Sequence, residues 1–408
     1  MTAIALRIWY VTLTLFFVSV VARADVVMDW NEKALASTAV AKQPTTVATR
    51  TMAVVHTAMF DAMNAIEARY SPYKVKMSAP AGSSVEAAGV AAAHTALLKL
   101  FPDQAAALDA AYQASLAHIA EGPGKASGVT VGEKVAAEML AHRAADGMDA
   151  PNIYRPSTAP GVYVPTTLPV ASSWGQVMPW VLERGAQFRP EGPPPLTSQE
   201  WARDYNETKD LGGKKSTRRT AEQTDIGRFW IVTGPPSWNP VVRQLAAAPG
   251  RTVMQNARLF ALVAMATADA YIAVFDAKYT FNFWRPVTAI RNGDLDGNDA
   301  TSREPDWEPL VDTPLHPEYP CAHCITSGAV AAVLEAEFGA GPMPAFTLTS
   351  PTAPGVVRTW NSIQEYIDEV AMARIYGGIH YRTSNMVGQA MGRKIGGVAV
   401  KNYLKPMR

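Results

Sequence analysis

Three segments decide how this chain is read: KYTFNFWRP from Lys278 to Pro286, YPCAHC from Tyr319 to Cys324, and ARIYGGIHYR from Ala373 to Arg382. They supply Lys278, Arg285 and Arg374 together with His323 and His380, and few carboxylates lie close by in sequence. Three fixed cations converging with two titratable imidazoles suit a tetrahedral oxyanion on which histidine does chemistry. The first segment closes a run from Val253 to Phe283 that is apolar almost all round, which predicts a buried helix. On such a helix Lys278 and Arg285 are two turns apart and share a face with Tyr271 and Asn282. Taken alone, that pair reads as snorkelling cations at a helix end.

In the second segment Pro320 marks a helix start, because a missing N–H costs nothing at the first helical position, and Ile325, Val330, Val333, Leu334 and Phe338 continue it. The unbonded amides of Ala322 and His323 then face any bound anion. The third segment follows a capping-box pattern, Ser362 with Glu365, and a buried stripe of Ile363, Ile367 and Val370. Arg374 is next on that stripe and therefore needs an anionic partner. That partner is a bound anion or, on a structural reading, Asp368 or an N-terminal carboxylate. Gly377-Gly378 breaks the helix and leaves His380 just beyond it.

The combined spacing Lys-x6-Arg-Pro, Pro-x-x-His and Arg-x5-His resembles the signature shared by vanadium-dependent haloperoxidases and type 2 phosphatidic acid phosphatases. The resemblance covers the last third of the chain strongly. It extends weakly to Arg50–Tyr73 and to QTDIGRFW (Gln223–Trp230). It implies an all-α fold of paired helical bundles, with one pocket that takes vanadate or phosphate. Lys278, Arg285, Cys321, Ala322 and Arg374 would bind the oxyanion. His380 would be the vanadium ligand, or the phosphatase nucleophile, and His323 the acid–base partner. Phe275 and His316 would line the halide side. Expected partners are hydrogen peroxide, a halide (bromide ahead of chloride) and a small organic substrate; a soluble acid phosphatase would instead take a phosphate ester, and a non-catalytic oxyanion binder is the third reading.

Two features depart from the family pattern. Cys321-Ala322 stands where Ser-Gly is usual, which replaces a hydroxyl donor with a weak, oxidisable thiol. Ser384 stands where many phosphatases carry a carboxylate. Other details favour the haloperoxidase branch: the aromatic surround of Tyr279, Phe281, Phe283 and Trp284, and His316 in HPEYP, which resembles the bromoperoxidase pattern.

The whole chain sets outer bounds. At 408 residues it has ample core, and 37 basic against 36 acidic residues provide no field for nucleic acid. Residues 1–24 read as a secretory signal: Arg7, an apolar core from Ile8 to Val21, and Ala22-Arg23-Ala24. The processed protein is then expected to be periplasmic or secreted and not integral to a membrane, with room for a homo-oligomer. The two cysteines, Cys321 and Cys324, exclude a disulfide framework, and a thioredoxin-like motif lacks its strand–helix–strand context.

Helical spacing predicts elements over Thr46–Glu67, Val85–Leu100, Asp103–Ala120, Gly132–Ala145, Ser198–Leu211, Arg219–Val232 and Pro240–Ala248. His94, His118 and His142 show no metal spacing, and Asp61 reads as packing ahead of any support for the anion site. Pro151–Pro195 is a proline-rich connector that lines an entrance, and Pro235, Pro236 and Trp238 form a stiff loop placed near the pocket mouth. The expected division is a signal at 1–24, a helical region at 25–195 and a catalytic domain at 196–408. Asn292–Glu304 imitates a calcium loop but has Asp299 at the sixth position, where glycine is needed, and Pro305 at the twelfth, where glutamate is needed, so it reads as a polar loop.

Overall fold

The computed structural model describes residues 25–407, so the signal-peptide reading lies outside the described residues. In its first half α1 (Val26–Val40), α2 (Thr45–Glu67), α3 (Val85–Leu100), α4 (Ala105–Leu116) and α5 (Pro123–Arg143) form one bundle. The second half contributes α6 (Gln199–Gly212), α7 (Ala221–Phe229), α8 (Asn239–Ala246), α9 (Val253–Phe281), α10 (Pro286–Arg291), α11 (Ala322–Phe338), α12 (Ile363–Tyr376) and α13 (Arg382–Asn402). Among the described residues the protein is mostly helical, as expected, with two strands.

The strands, β1 (Phe346–Ser350) and β2 (Ala353–Trp360), form an antiparallel hairpin that the sequence pattern does not predict. Alternation in β1 spans only Phe346, Leu348 and Ser350 on its buried side, too short a run to stand out. Other boundaries shift in readable ways. Helix α5 begins nine residues before its expected start, because Pro123 takes the first helical position after Gly122. Helix α7 is shorter than expected at both ends, and α4 loses its first residues to a 3-10 turn over Pro102–Gln104.

Helix α9 is the axis. A capping box, Thr252 with Gln255, starts it, and Asn282 in a left-handed conformation stops it. It is long and apolar enough to cross a membrane, yet 94% of that window is buried against other helices, so it is a core helix. Helix α2 packs on it from the first half, and α11 and α13 from the second. Helix α13 lies tight on α11: a Cβ on Gly392 would collide with the Ile325 carbonyl, and one on Gly388 with the Cys321 carbonyl. This close approach fixes the start of α11, which matters for the site.

The proline-rich connector is tied to the core through Asp269 of α9. Its carboxylate accepts the amides of Trp180, Val181 and Leu182 at 2.7–2.8 Å. Asp61 of α2 does the same for Tyr73, Lys74 and Val75. Burial lifts both carboxyls to about 6, and Asp61 is thus a loop anchor away from the anion site. In the loop at Pro235–Trp238, Trp238 is buried in the main core, while Ile231 and Thr233 just before the loop line the cavity described below.

Candidate active site

The segments converge, by a route that differs from the helical-face expectation. Lys278 is on the last turn of α9, but Arg285 is beyond the helix, as the residue preceding α10. Both side chains are fully buried rather than snorkelling. Lys278 Nζ donates to the carbonyls of Pro317 (2.9 Å) and Glu318 (2.6 Å). Arg285 donates to the carbonyls of His316 (Nε, 2.9 Å) and Ile379 (Nη1, 2.8 Å). Behind it stands a cluster of Trp201, Tyr205, Phe283, Trp284 and Tyr381.

Helix α11 begins at Ala322, with Cys321 as its cap, so Pro320 lies outside the helix instead of at its first position. Cys321 Sγ accepts the Cys324 amide at 3.2 Å. The first amides of α11, those of Ala322 and His323, have no carbonyl within the helix to bond. Helix α12 is capped by Ser362, but Glu365 reaches past it to the Asn361 amide, so the expected capping box is only half present. Arg374, in the last turn, donates Nη1 to the Trp230 carbonyl, and its buried Nε has no partner. The salt bridge to Asp368 does not form. Gly378 then adopts a φ of +74°, and a Cβ there would strike the Gly212 carbonyl. Only glycine makes the turn that delivers His380.

His380 is oriented by Glu318, a residue that sequence reasoning missed. His380 Nδ1 is 2.6 Å from Glu318 Oε1, which also accepts the Tyr381 amide at 3.3 Å. Once Glu318 is ionised it only accepts, so the proton sits on Nδ1 and the lone pair on Nε2. Arg285 Nη1 is 3.3 Å from that Nε2. His323 directs Nε2 at the Val232 carbonyl, 3.2 Å away, which leaves Nδ1 as the nitrogen free to exchange a proton. His316 Nδ1 receives Arg285 Nη2 at 3.0 Å, and its ring meets Phe275 edge-on at 5.2 Å between centroids. The one signal for Glu318 was its place in HPEYP, an acid amid proline and aromatics.

A cavity of about 680 Å³ reaches this centre. Phe275, His316, Ala322, His323, Arg374 and His380 line it, whereas Lys278, Arg285 and Cys321 stand behind them. The electrostatics are one-sided. Burial, and then Arg374 for His323 or Arg285 for His380, push both imidazoles well below their ordinary value. Burial, then Lys278 and Arg285, do the same to His316. Lys278 is also pulled well down by burial and by Arg285. Burial lifts Glu318 to about 7 although Lys278 and Arg285 oppose it. Among the described residues, none of Lys278, Arg285 and Arg374 forms an ion pair with a carboxylate. A site with three buried cations, an orphaned guanidinium Nε and two free helix amides fits a tetrahedral oxyanion, vanadate included.

Over 94% of its length the chain superposes on a bacterial vanadium-dependent iodoperoxidase, with a TM-score of 0.80, 24% identity and 98% of that chain covered. The fold is that of the vanadium haloperoxidases. An apo-type bacterial vanadium-dependent chloroperoxidase gives a TM-score of 0.70 at 17% identity, covering 87% of this chain and 92% of that one. Residues 258–408 match the family model of the VCPO second helical-bundle domain. In sequence, the vanadium chloroperoxidase of Curvularia inaequalis is 29% identical over 236 residues, 42% of this chain. That match spans 38% of the relative's length, about two fifths. The haloperoxidase match therefore includes Lys278, Arg285, the start of α11, Arg374 and His380 within one domain.

Proposed function

We propose that this protein is a vanadate-dependent haloperoxidase that uses hydrogen peroxide to oxidise a halide, bromide ahead of chloride. The observation that carries the reading is the set of three buried basic side chains without carboxylate partners around His380 Nε2, whose nearest donor is Arg285 Nη1 at 3.3 Å. Lys278, Arg285, Arg374 and the amides of Ala322 and His323 would hold the oxyanion, and His380 Nε2 would be the protein's ligand to it. Vanadate, when bound, supplies the Lewis-acidic centre at which peroxide is activated. The chain's own residues do the rest. Glu318 holds the proton on His380 Nδ1 and so keeps Nε2 available. His323, neutral at working pH, takes and returns a proton through Nδ1. His316 and Phe275, side by side on the cavity wall, face the incoming halide. Bromide leads on the histidine at position 316, and the iodoperoxidase neighbour makes iodide a natural first substrate for assay.

A phosphatase reading has one observation in its favour: the same Nε2, on an imidazole backed by a carboxylate, would attack phosphorus. The expected working place under either reading is outside the cytoplasm, in keeping with the leader-like residues 1–24. The test is iodide and bromide oxidation by peroxide, before and after adding orthovanadate, beside hydrolysis of p-nitrophenyl phosphate. Vanadate-dependent halide oxidation supports the proposal. Vanadate-inhibited hydrolysis without halide oxidation selects the phosphatase.

A further inference from the structure

The cavity above His380 is larger and more apolar than peroxide and a halide require. Its volume of about 680 Å³ falls in the range of pockets that take drug-sized organic molecules. Its polar floor is formed by Arg374 and the imidazoles of His316, His323 and His380. The walls come from the start of α2, from Met148, Ala150 and Asn152, from the connector at Leu168–Trp174, from Ile231 and Thr233 after α7, and from Val311, Asp312 and Pro314. Tyr271 and Phe275 of α9 stack on one another along one side.

The rim is apolar and exposed. Leu168 is 73% exposed, Val170 46% and Ile231 41%, and all three line this one cavity. Large apolar side chains held open to water around a concave site mark a surface that is covered when a ligand binds. The connector that carries two of them is pinned in place, since the Tyr279 hydroxyl donates to the Val170 carbonyl and the Val170 amide to that of Leu315. The rim is therefore built, not left over from a loose loop.

We propose that this funnel retains an uncharged, largely apolar, electron-rich organic acceptor, such as an alkyl-substituted phenol, while it is halogenated. This rests on the haloperoxidase reading. Halide and peroxide, with one proton, give hypohalous acid and water at the floor. The acid then passes its halogen to a ring carbon of the acceptor in the funnel. The carbon–halogen bond forms, the carbon–hydrogen bond breaks, and the released proton joins the departing hydroxide as water. Apolar walls keep the acceptor beside the floor, so the halogen is used before it diffuses away.

The test sets phenol against 4-hexylphenol in one vessel with bromide, peroxide and the vanadate-loaded enzyme. The same mixture treated with reagent hypobromous acid gives the reference ratio. The expected result is at least a tenfold excess of brominated hexylphenol over that ratio. Calorimetry without vanadate, peroxide or halide reads binding directly: 4-hexylphenol should bind the wild type at least tenfold more tightly than the variant carrying Leu168→Asp and Ile231→Asp. Both positions are exposed, so the variant keeps its core, and a circular dichroism melt checks this. The reagent's own ratio, or equal binding by the variant, overturns the acceptor site. Wild type that oxidises no iodide when no organic acceptor is present overturns instead the haloperoxidase reading beneath it.

Discussion

Replacing Glu318 with glutamine separates a positioning role from a structural one. Glu318 is completely buried, and one oxygen serves both His380 Nδ1 and the Tyr381 amide while the other has no partner. A charge-assisted hydrogen bond is worth about 1.5–3 kcal/mol and a neutral one about 0.5–1.5, so roughly 1–1.5 kcal/mol of tautomer preference is lost. A glutamine can also turn its amide toward Nδ1, which would put the imidazole proton on Nε2 where the oxyanion ligand must be. Replacing the group that orients a metal-binding histidine weakens metal affinity by about 10–100-fold, and that is the expected loss for vanadate. Stability should move the other way. Burial lifts the Glu318 carboxyl from 4.5 to about 7, and ionising it in the fold therefore costs roughly 3 kcal/mol. A raised carboxyl binds its proton more tightly when folded, so this cost is absent below the unfolded value, grows as pH rises through 4.5–7, and is complete above 7. The glutamine variant should melt at or above the wild-type temperature at pH 8 and lose ground relative to it near pH 5. Isothermal titration of orthovanadate at pH 8, with melts at both pH values, reads the two effects. Unchanged vanadate affinity in a folded variant would refute the positioning role of Glu318.

Arg374→Ala should weaken vanadate and phosphate binding by at least about 1.5–3 kcal/mol, because the unpartnered Nε and the rest of the guanidinium are lost to the anion; unchanged affinity with a collapsed melt would make the arginine structural. Cys321→Ser should tighten vanadate binding by roughly 0.5–1.5 kcal/mol through a stronger donor, and should also slow inactivation under excess peroxide. Burial works against its thiolate, yet the Cys324 thiol and Arg374 together pull the Cys321 thiol below its ordinary value, and weaker vanadate binding by the serine variant would give the sulfur a positive role. Sulfate, a tetrahedral anion of constant charge, should raise the melting temperature more at pH 5.5 than at pH 7.5. His316, His323 and His380 stay neutral in the empty fold, so the unfolded chain gains protons as pH falls below about 6.5 and stability drops, and an anion that restores their basicity removes that loss.

Much of this was legible in the sequence because periodic burial leaves a periodic trace. Helix α3 begins and ends at the residues the spacing predicts, and α2 and α9 deviate by one or two. The three site segments were legible because cations in apolar surroundings are costly and hence conspicuous, as with Arg374 on the stripe of Val370. What failed has local causes. Arg285 seemed to continue the face of Lys278, but Asn282 turns left-handed and ends α9 first, so Arg285 comes to the site from the following turn. Pro320 looked like a helix start, yet the Cys321 thiol caps one residue later, a role usually read from serine or aspartate.

The harder question is how the fold tolerates three buried cations, and the answer lies where sequence is blind. Their partners are main-chain carbonyls: Pro317 and Glu318 for Lys278, His316 and Ile379 for Arg285, Trp230 for Arg374. A carbonyl has no side-chain signature, so no motif announces it. It also differs from a carboxylate in kind, since it satisfies an N–H without cancelling its charge. A carboxylate at each position would have made stable ion pairs and left nothing to attract an anion. Carbonyls hold Lys278, Arg285 and Arg374 in place without neutralising them, and the carboxylate beside them, that of Glu318, is turned toward His380 Nδ1 instead. The site is thereby ordered before any anion arrives and short of negative charge until one does, which is the preorganisation that tight oxyanion binding requires.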